Sequence, residues 1–449
     1  MTEETVSSKF HRFHELVEEG TYDQIENLIR ILKPADIAHL LASSPSTQRS
    51  IIWNFFDEEL QSEIIAYVDE EIISDLLGDK SAEEIIQVLE NVPADDDLTD
   101  ILQHLPDALT HQVLQSMDAT DRARVENLLS YPEDTAGGLM ATDIISVRAR
   151  VSIDVVLRYL RRHDELPPTT DTIFVVNSNE ELIGLLPVIT VLVSDPGTTV
   201  REAMTTEIQP ITASLSEHEV ADIFKRYDLV SAPVIDDSGR LIGRITIDDV
   251  VDVIVDEADH SILGMAGLTE EEDAFAPILK TARSRAIWLG ANLFTAFIAS
   301  AVINIFQDTI AKVVALAILM PIVASMGGVA GSQTLTLVIR KMARGDLIEG
   351  NQRWFLNREL AVGGINGLFW AMVTAVVTAL VFQDTTLGMI IAIALAINLI
   401  VAALAGALLP RILRSMGIDP AIAGTVVLTT ITDVVGFMSF LGLASIFYR

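Results

Sequence analysis

The 449-residue chain contains no cysteine, which excludes disulfides, thiol catalysis, iron–sulfur clusters and cysteine-ligated zinc. Histidine is scarce and stops early, with all eight residues at or before His260. An intramembrane zinc protease needs two histidines around a glutamate at H-E-x-x-H spacing on one helix. Neither His14-Glu15 nor His218-Glu219 completes that motif, so the chain is not read as an enzyme. Basic residues are few where acids are many. Residues 1–279 hold 18 Lys and Arg against 56 Asp and Glu, a net of −38. So acidic a surface repels phosphate backbones, which removes nucleic acid as a partner. The first 30 residues lack an apolar signal core, and the N-terminus is expected to stay in the cytoplasm.

The rest of the chain has the opposite balance. Residues 280–449 carry 12 basic and 7 acidic residues, a net of +5. Five apolar stretches lie near 286–306, 311–339, 360–382, 387–410 and 421–447. Each reaches the ~20 residues that cross a ~30 Å hydrocarbon core. Lys280, Arg283 and Arg285 precede the first stretch, Arg340, Lys341, Arg344, Arg353 and Arg358 follow the second, and Arg411 and Arg414 follow the fourth. Only Lys312 and Arg449 lie on the other side, so basic residues in short flanks predict an N-terminus inside and a C-terminus outside the cytoplasmic membrane. A reducing cytoplasm agrees with the missing cysteine.

Asp433, near the middle of the fifth stretch, is the one central carboxylate. A charge at that depth costs at least ~2.5–3.5 kcal/mol, so it should face a polar cavity or a partner, and no Lys or Arg lies at its depth. A cation or proton site is the reading preferred over a protonated structural carboxyl. The second stretch holds Pro321 and then Gly327-Gly328-Val329-Ala330-Gly331-Ser332-Gln333. Freed carbonyls and close backbone approach there would make an oxygen lining suited to a hard cation such as Mg²⁺, or else a packing seam of small residues. Asn292, Asn304, Asn366 and Asn398 fit either pore lining or interhelical bonding. Phe306-Gln-Asp308-Thr and Phe382-Gln-Asp384-Thr repeat one tetrapeptide, whose acids read more simply as helix caps than as an anionic outer mouth.

Residues 1–130 show apolar positions at i, i+3 and i+4 with acids between. Pro34-Ala-Asp36, Ser81-Ala-Glu83-Glu84 and Pro93-Ala-Asp95-Asp96-Asp97 open similar short units, which predicts a superhelix of stacked hairpins. The Asp95–Asp97 run is an ordinary acidic helix start and, with Asp100 one turn on, a candidate divalent-ion cluster. Beyond residue 131, β-branched runs alternate with helical ones. Ile173–Val176 followed by Leu182–Gly184 recurs about 60 residues later as Ala232–Ile235 followed by Leu241–Thr246, two copies of one small β–α module.

The second copy, Val200–Val253, resembles a CBS domain, with Tyr227-Asp228-Leu-Val-Ser-Ala-Pro233-Val-Ile and Gly243-Arg-Ile-Thr246-Ile-Asp248-Asp249. In adenosine-binding modules of that kind the Thr and the Asp three later contact phosphate and ribose, which implies ATP or another adenine nucleotide at Thr246 and Asp249. The first copy ends Gly184-Leu-Leu-Pro187-Val-Ile-Thr190 and lacks the pattern.

Further motifs are Tyr131-Pro-Glu-Asp-Thr-Ala-Gly-Gly-Leu-Met140, the Asp248–Asp259 acidic run, Glu271-Glu-Asp273-Ala-Phe-Ala-Pro277, Pro321-Ile-Val-Ala-Ser-Met-Gly-Gly328, Asp419-Pro420-Ala, and Leu428-Thr-Thr-Ile-Thr-Asp433-Val-Val-Gly436. On these motifs, in this order, the chain from about Leu32 to Tyr448 is similar to the MgtE family of magnesium channels. The resemblance implies five parts: an acidic helical domain (1–130), two CBS domains (131–196 and 197–253), a connecting plug helix (254–280) and a transmembrane pore domain (281–449). The fold class is therefore multidomain, an all-α superhelix with an α/β CBS pair and an all-α membrane domain of five helices. A homodimer in membrane lipid is implied, with Asp433, Gly328, Gly331 and Thr429 at a pore for hydrated Mg²⁺. Regulatory Mg²⁺ is implied at Asp96, Asp97, Asp100, Asp248, Asp249, Asp252, Asp256, Glu257, Asp259 and Asp419. Repulsion among the acids from Asp248 to Asp259 would hold domains apart until bound ions let them dock. Many relatives carry Asn at the positions of Val329 and Ser332 and a carboxylate at that of His260. An ion- or proton-coupled carrier of Co²⁺, Mn²⁺ or Ni²⁺, with Asp433 as relay, is the alternative.

Overall fold

The computed structural model describes residues 32–448 apart from 79, 90, 91, 93, 94, 164, 165, 269–274, 276, 277, 344–346, 348 and 349. The first 31 residues, the side chains of Asp96 and Lys280, the Glu271–Asp273 motif, Arg344 and Arg449 lie outside the described residues. Two units form, one of residues 1–255 with 273–276, the other of 256–272 with 277–449.

The first unit opens with short helices α1 (Pro34–Ala42), α2 (Ser46–Trp53), α3 (Glu58–Ile65), α4 (Glu70–Leu77), α5 (Ala82–Leu89), α6 (Asp95–Gln103), α7 (Asp107–Ser116) and α8 (Ala119–Leu128). Each is too short to persist alone, so burial of its apolar face has to hold it. Helix α1 packs on α3, α2 on α4, α3 on α5, α4 on α6 and α5 on α7, the next-but-one pattern of a superhelix. Trp53, Ile37, Leu41, Ile64 and Leu77 lie in its continuous core. The acids at the helix starts act as caps. Asp57 accepts from the Leu60 N–H at 3.0 Å, and Asp118 accepts from those of Thr120 and Asp121 at 2.7 and 3.0 Å. Arg49 is wholly buried, donating from Nε to the Leu41 carbonyl at 3.1 Å and from Nη1 to Asp75 at 3.1 Å.

Next come β1 (Ser146–Arg148), α9 (Ile153–Leu160), β2 (Thr172–Val176), β3 (Leu182–Pro187), α10 (Val188–Val193), α11 (Val200–Ala203), β4 (Ile211–Thr212), α12 (Glu217–Tyr227), β5 (Ser231–Ile235) and β6 (Leu241–Thr246). The strands make two sheets of one design, β1-β2-β3 and β4-β5-β6, in which the first pair is parallel and the second antiparallel. Gly184 pairs with Val175 in one and Gly243 with Val234 in the other. A Cβ on Gly184 would stand 2.6 Å from the Met204 sulfur, and one on Gly243 2.7 Å from that of Met140. Bare backbone is required at both because a neighbouring segment lies against the strand. That segment comes from the other copy's lead-in: Leu185 and Thr205 exchange backbone bonds at 2.9 and 2.8 Å, as do Arg244 and Ala141.

Helix α13 (Ile247–Met265) begins in the first unit and ends in the second. The second unit adds α14 (Ile278–Ile305), α15 (Gln307–Lys312), α16 (Ala315–Ala343), α17 (Gln352–Phe382), α18 (Thr385–Ser415) and α19 (Pro420–Phe447). Among the described residues five helices are long and apolar enough to cross a membrane: Thr281–Ile305, Ala315–Ala343, Gln352–Phe382, Thr385–Ser415 and Pro420–Phe447. Several limits differ from the hydropathy reading by a few residues, two of them for a local reason. The second span starts at Ala315 because Gln307–Lys312 forms a separate short helix, and the third starts at Gln352 because its polar first turns continue the helix. Helix α18 is the axis of this unit, packing on α16, α17 and α19. A Cβ on Gly406 of α18 would stand 2.7 Å from the Gly331 carbonyl of α16, the close backbone approach that small residues allow in membranes. Asp384 caps α18 through the Thr386 and Leu387 N–H groups at 2.9 and 3.0 Å, as the tetrapeptide predicts. Asp308 sits inside the first turn of α15, where Phe306 occupies the cap position.

Candidate functional site

A cavity of about 760 Å³ opens on one side of the second unit. Gly328, Val329, Ser332 and Gln333 of α16 line it together with Thr429 and Asp433 of α19. Three of the four residues proposed for an ion pathway therefore meet: Gly328, Thr429 and Asp433. Gly331 is absent from the lining. It is buried on the neighbouring face, where a Cβ would stand 2.9 Å from the Leu428 side chain. Successive helical residues turn ~100°, so of three glycines in five positions only part can face one side. Helix α16 runs unbroken through Pro321 and the glycines, so its oxygen contribution to the wall is hydroxyl and amide as much as backbone. Thr429 donates its hydroxyl to the Thr425 carbonyl at 2.7 Å, which leaves its oxygen able to accept. The Asp433 carboxylate makes no hydrogen bond or ion pair among the described residues. An acid with no protein partner, one wall of a water-accessible cavity, and neutral oxygens around it can hold a hydrated cation.

The acidic residues before the membrane take several places. Thr246, at the end of β6, donates its hydroxyl to Asp248 and, at 3.1 Å, to Asp249, whose carboxylate also accepts from the Thr246 N–H at 3.2 Å. Thr246 and Asp249 thus form one cap at the start of α13. Asp252 lies a turn further on. Partial burial raises its pKa above the ordinary carboxylate value, and the nearby charges of Asp248 and Asp69 raise it further. Asp69 precedes α4, nearly two hundred residues earlier, and no local pattern marks it. Asp97 and Asp100 lie on α6. Among the described residues no three His, Cys, Asp or Glu side chains are arranged to share one ion.

Within the second unit, Asp256, Glu257 and Asp259 continue α13, and Asp419 caps α19 by accepting from the Ala421 N–H at 2.7 Å. The other oxygen of Asp419 meets His260 Nε2. Gly264 packs over Ala421 one turn on, so the end of α13 lies along the start of α19. Glu359, left outside the third stretch by its basic neighbours, is 5% exposed. It binds Arg358 Nη1 and accepts from Thr334 Oγ1 at 3.3 Å.

Three family models match the chain in succession. The MgtE intracellular N domain covers residues 32–134, the CBS domain 136–193 and 200–256, and MgtE, a divalent cation transporter family, 320–443. The magnesium transporter MgtE of Bacillus subtilis is 26% identical over 435 residues, spanning 96% of each chain. That of Thermus thermophilus is 29% identical over 437 residues, again 96% of each. A crystal structure of the cytosolic domain of the Mg²⁺ channel MgtE in complex with ATP is 30% identical, covers 54% of this chain and 98% of its own, and has a TM-score of 0.49. With the helical domain, the paired small sheets and the apolar helices in the order of the three family models, and with both transporters matched over 96% of their length, the chain is a multi-pass membrane protein of the MgtE family.

Proposed function

We propose that this chain is a transport protein that carries Mg²⁺ into the cell through the cavity of α16 and α19, with Asp433 as the ion-holding group. The observation that carries the reading is the unpartnered Asp433 carboxylate facing that cavity beside Gly328 and Thr429. Mg²⁺ dehydrates reluctantly, so a single carboxylate flanked by neutral oxygens suits an ion that keeps most of its waters. The same cavity is open along one side, and a second copy of the chain placing its own Asp433 opposite would complete a two-carboxylate site. We take the unit as a homodimer for that reason, with the N-terminal region cytoplasmic and the C-terminus outside, the orientation that the basic flanks favour. Names of the similar proteins agree with the choice of ion.

Regulation belongs to the acids. Asp248, Asp249 and Asp252, with Asp69, bring like charges together in the first unit, and cytoplasmic Mg²⁺ would relieve their repulsion and favour closure. Asp96, Asp97, Asp100, Asp256, Glu257, Asp259 and Asp419 are the further candidates. An adenine nucleotide is proposed at the second CBS copy. The Thr246–Asp249 pair supplies a hydroxyl and a carboxylate that fit a ribose, whereas a phosphate beside three carboxylates needs an accompanying cation. The nucleotide would therefore bind as its Mg²⁺ complex, and Thr246→Ala should weaken that binding in calorimetry.

The deciding experiment is Mg²⁺ uptake by wild type and Asp433→Ala in cells lacking other Mg²⁺ importers. Growth and uptake equal to wild type in the mutant would remove the assignment.

A further inference from the structure

Behind the cavity wall, on the side away from the ion pathway, lies a buried amide. Asn398, in the middle of α18, is 0% exposed. Its Nδ2 donates to the backbone carbonyl of Val323 on α16 at 2.9 Å. Its Oδ1 is buried and has no hydrogen-bond partner among the described residues. An unsatisfied buried acceptor opposes folding, so a hydrocarbon of similar shape would suit this place better if packing were the only requirement.

Two glycines on two helices are cut away to admit the amide. A Cβ on Gly327 of α16 would stand 2.2 Å from Asn398 Nδ2, and one on Gly436 of α19 would stand 2.8 Å from it. Gly328, beside the first glycine, lines the cavity, and Asp433 lies three residues before the second. Asn398 thus touches the back of both lining helices at the level of the proposed ion site. Resting on the reading of that cavity as a Mg²⁺ pathway, we propose that Asn398 is a positioning residue. It fixes the separation of α16 and α19, and so the place of Asp433 relative to the α16 oxygens.

The consequence concerns which ion is carried. Hydrated Mg²⁺ is a rigid octahedron whose waters must meet the wall oxygens at set distances, whereas Ca²⁺ exchanges and rearranges its oxygens freely. A loosened spacing should therefore harm Mg²⁺ more than Ca²⁺. A variant that merely folds less well lowers both by one factor.

The test is flux of Mg²⁺ and of Ca²⁺ into proteoliposomes holding the full chain, normalised to the monodisperse protein recovered. Asn398→Leu keeps the bulk and removes the donor. It should cut Mg²⁺ flux by roughly tenfold, the lower end of what supporting residues contribute around metal sites, and raise the Ca²⁺ to Mg²⁺ ratio several-fold. Gly327→Ala should lose Mg²⁺ flux through collision with the amide, and Gly327→Ala with Asn398→Ala should regain part of it. If Asn398→Leu lowers both ions equally, or leaves the ratio within twofold of wild type, the positioning role is wrong. Asp433→Ala in the same vesicles separates the two ideas: full Mg²⁺ flux there sinks the pathway itself and the inference with it. Its loss beside an unchanged Asn398→Leu ratio sinks only the inference.

Discussion

Asp252 in the first unit stands among other acids, close enough to Asp248 and Asp69 for their charges to oppose its ionisation. Asp433 in the second has a cavity before it and, among the described residues, no ionic neighbour. Three other described acids of the spans and their junctions have a fixed task. Glu359 holds Arg358 and Thr334, Asp384 caps α18 and accepts from the Tyr448 hydroxyl, and Asp419 caps α19 and meets His260. Acidity is thus collective in one unit and individual in the other. Where charges act together, losing one is expected to shift an equilibrium slightly; where one acts alone, its loss is expected to have the larger effect.

Substitutions at Asp433, Gly406, Asp384 and Asp252 test this difference. The largest effect is expected at Asp433. Asp433→Asn preserves shape and removes only charge, and Mg²⁺ uptake should fall by at least ~10-fold, since a hard cation binds a neutral amide far less well than a carboxylate. Retained uptake would mean that the α16 oxygens suffice and that acidity is collective here too.

Next comes packing in the same unit. Gly406→Ala forces a methyl to 2.7 Å from the Gly331 carbonyl and should destabilise the membrane helices by about 1–3 kcal/mol in denaturant titration. Asp384 follows. The Tyr448 hydroxyl and the Leu387 and Thr386 N–H groups hold its pKa below the usual carboxylate value, while burial and this bond push that of Tyr448 up to about 12. A depressed carboxylate stabilises the fold above its unfolded pKa of ~3.9 and loses that contribution as pH falls through its folded value. Asp384→Ala should cost about 1 kcal/mol at pH 7, the worth of a cap. Tyr448→Phe should cost less and flatten the acid dependence.

The smallest effect has the opposite sign. Because the folded pKa of Asp252 is raised, its penalty is absent at low pH and grows as pH rises through that value. Asp252→Asn should therefore stabilise the first unit at pH 7 without divalent ions, by less than about 1 kcal/mol because the group is only partly buried and solvent screens its charge. The gain should fade below pH ~4 and on adding Mg²⁺. Thermal melts of the full chain in detergent would show it, and a destabilised mutant would contradict the crowding.

Much of this was legible in the residues. Five apolar runs, the recurrent hairpin and a lone acid in the last run come from local patterns, and local patterns survive folding. The acidic helix starts were equally plain, since caps are made within three residues. What escaped depends on distant segments meeting. Asn398 could be lining or glue until the two glycines opposite it, one on each neighbouring helix, showed it packed behind the wall. Gly328 and Gly331 look alike in sequence and face different ways, because helix phase is set by what packs alongside. Glu359 was hidden by Arg353 and Arg358, whose charges suggested a loop where the helix already runs. Asp69 joins Asp248 and Asp252 only through the fold of the helical domain.

The exchanged lead-in segments of the two small sheets carry a further consequence. Each hairpin is finished by residues that belong to the other copy, through Ala141 with Arg244 and Thr205 with Leu185. Melting of one half strips these bonds from the other, so the two copies are expected to unfold together. A nucleotide that grips only the copy bearing Thr246 would stiffen its motif-less twin to the same degree. Two inputs arriving at different copies would then be added together before anything is passed on.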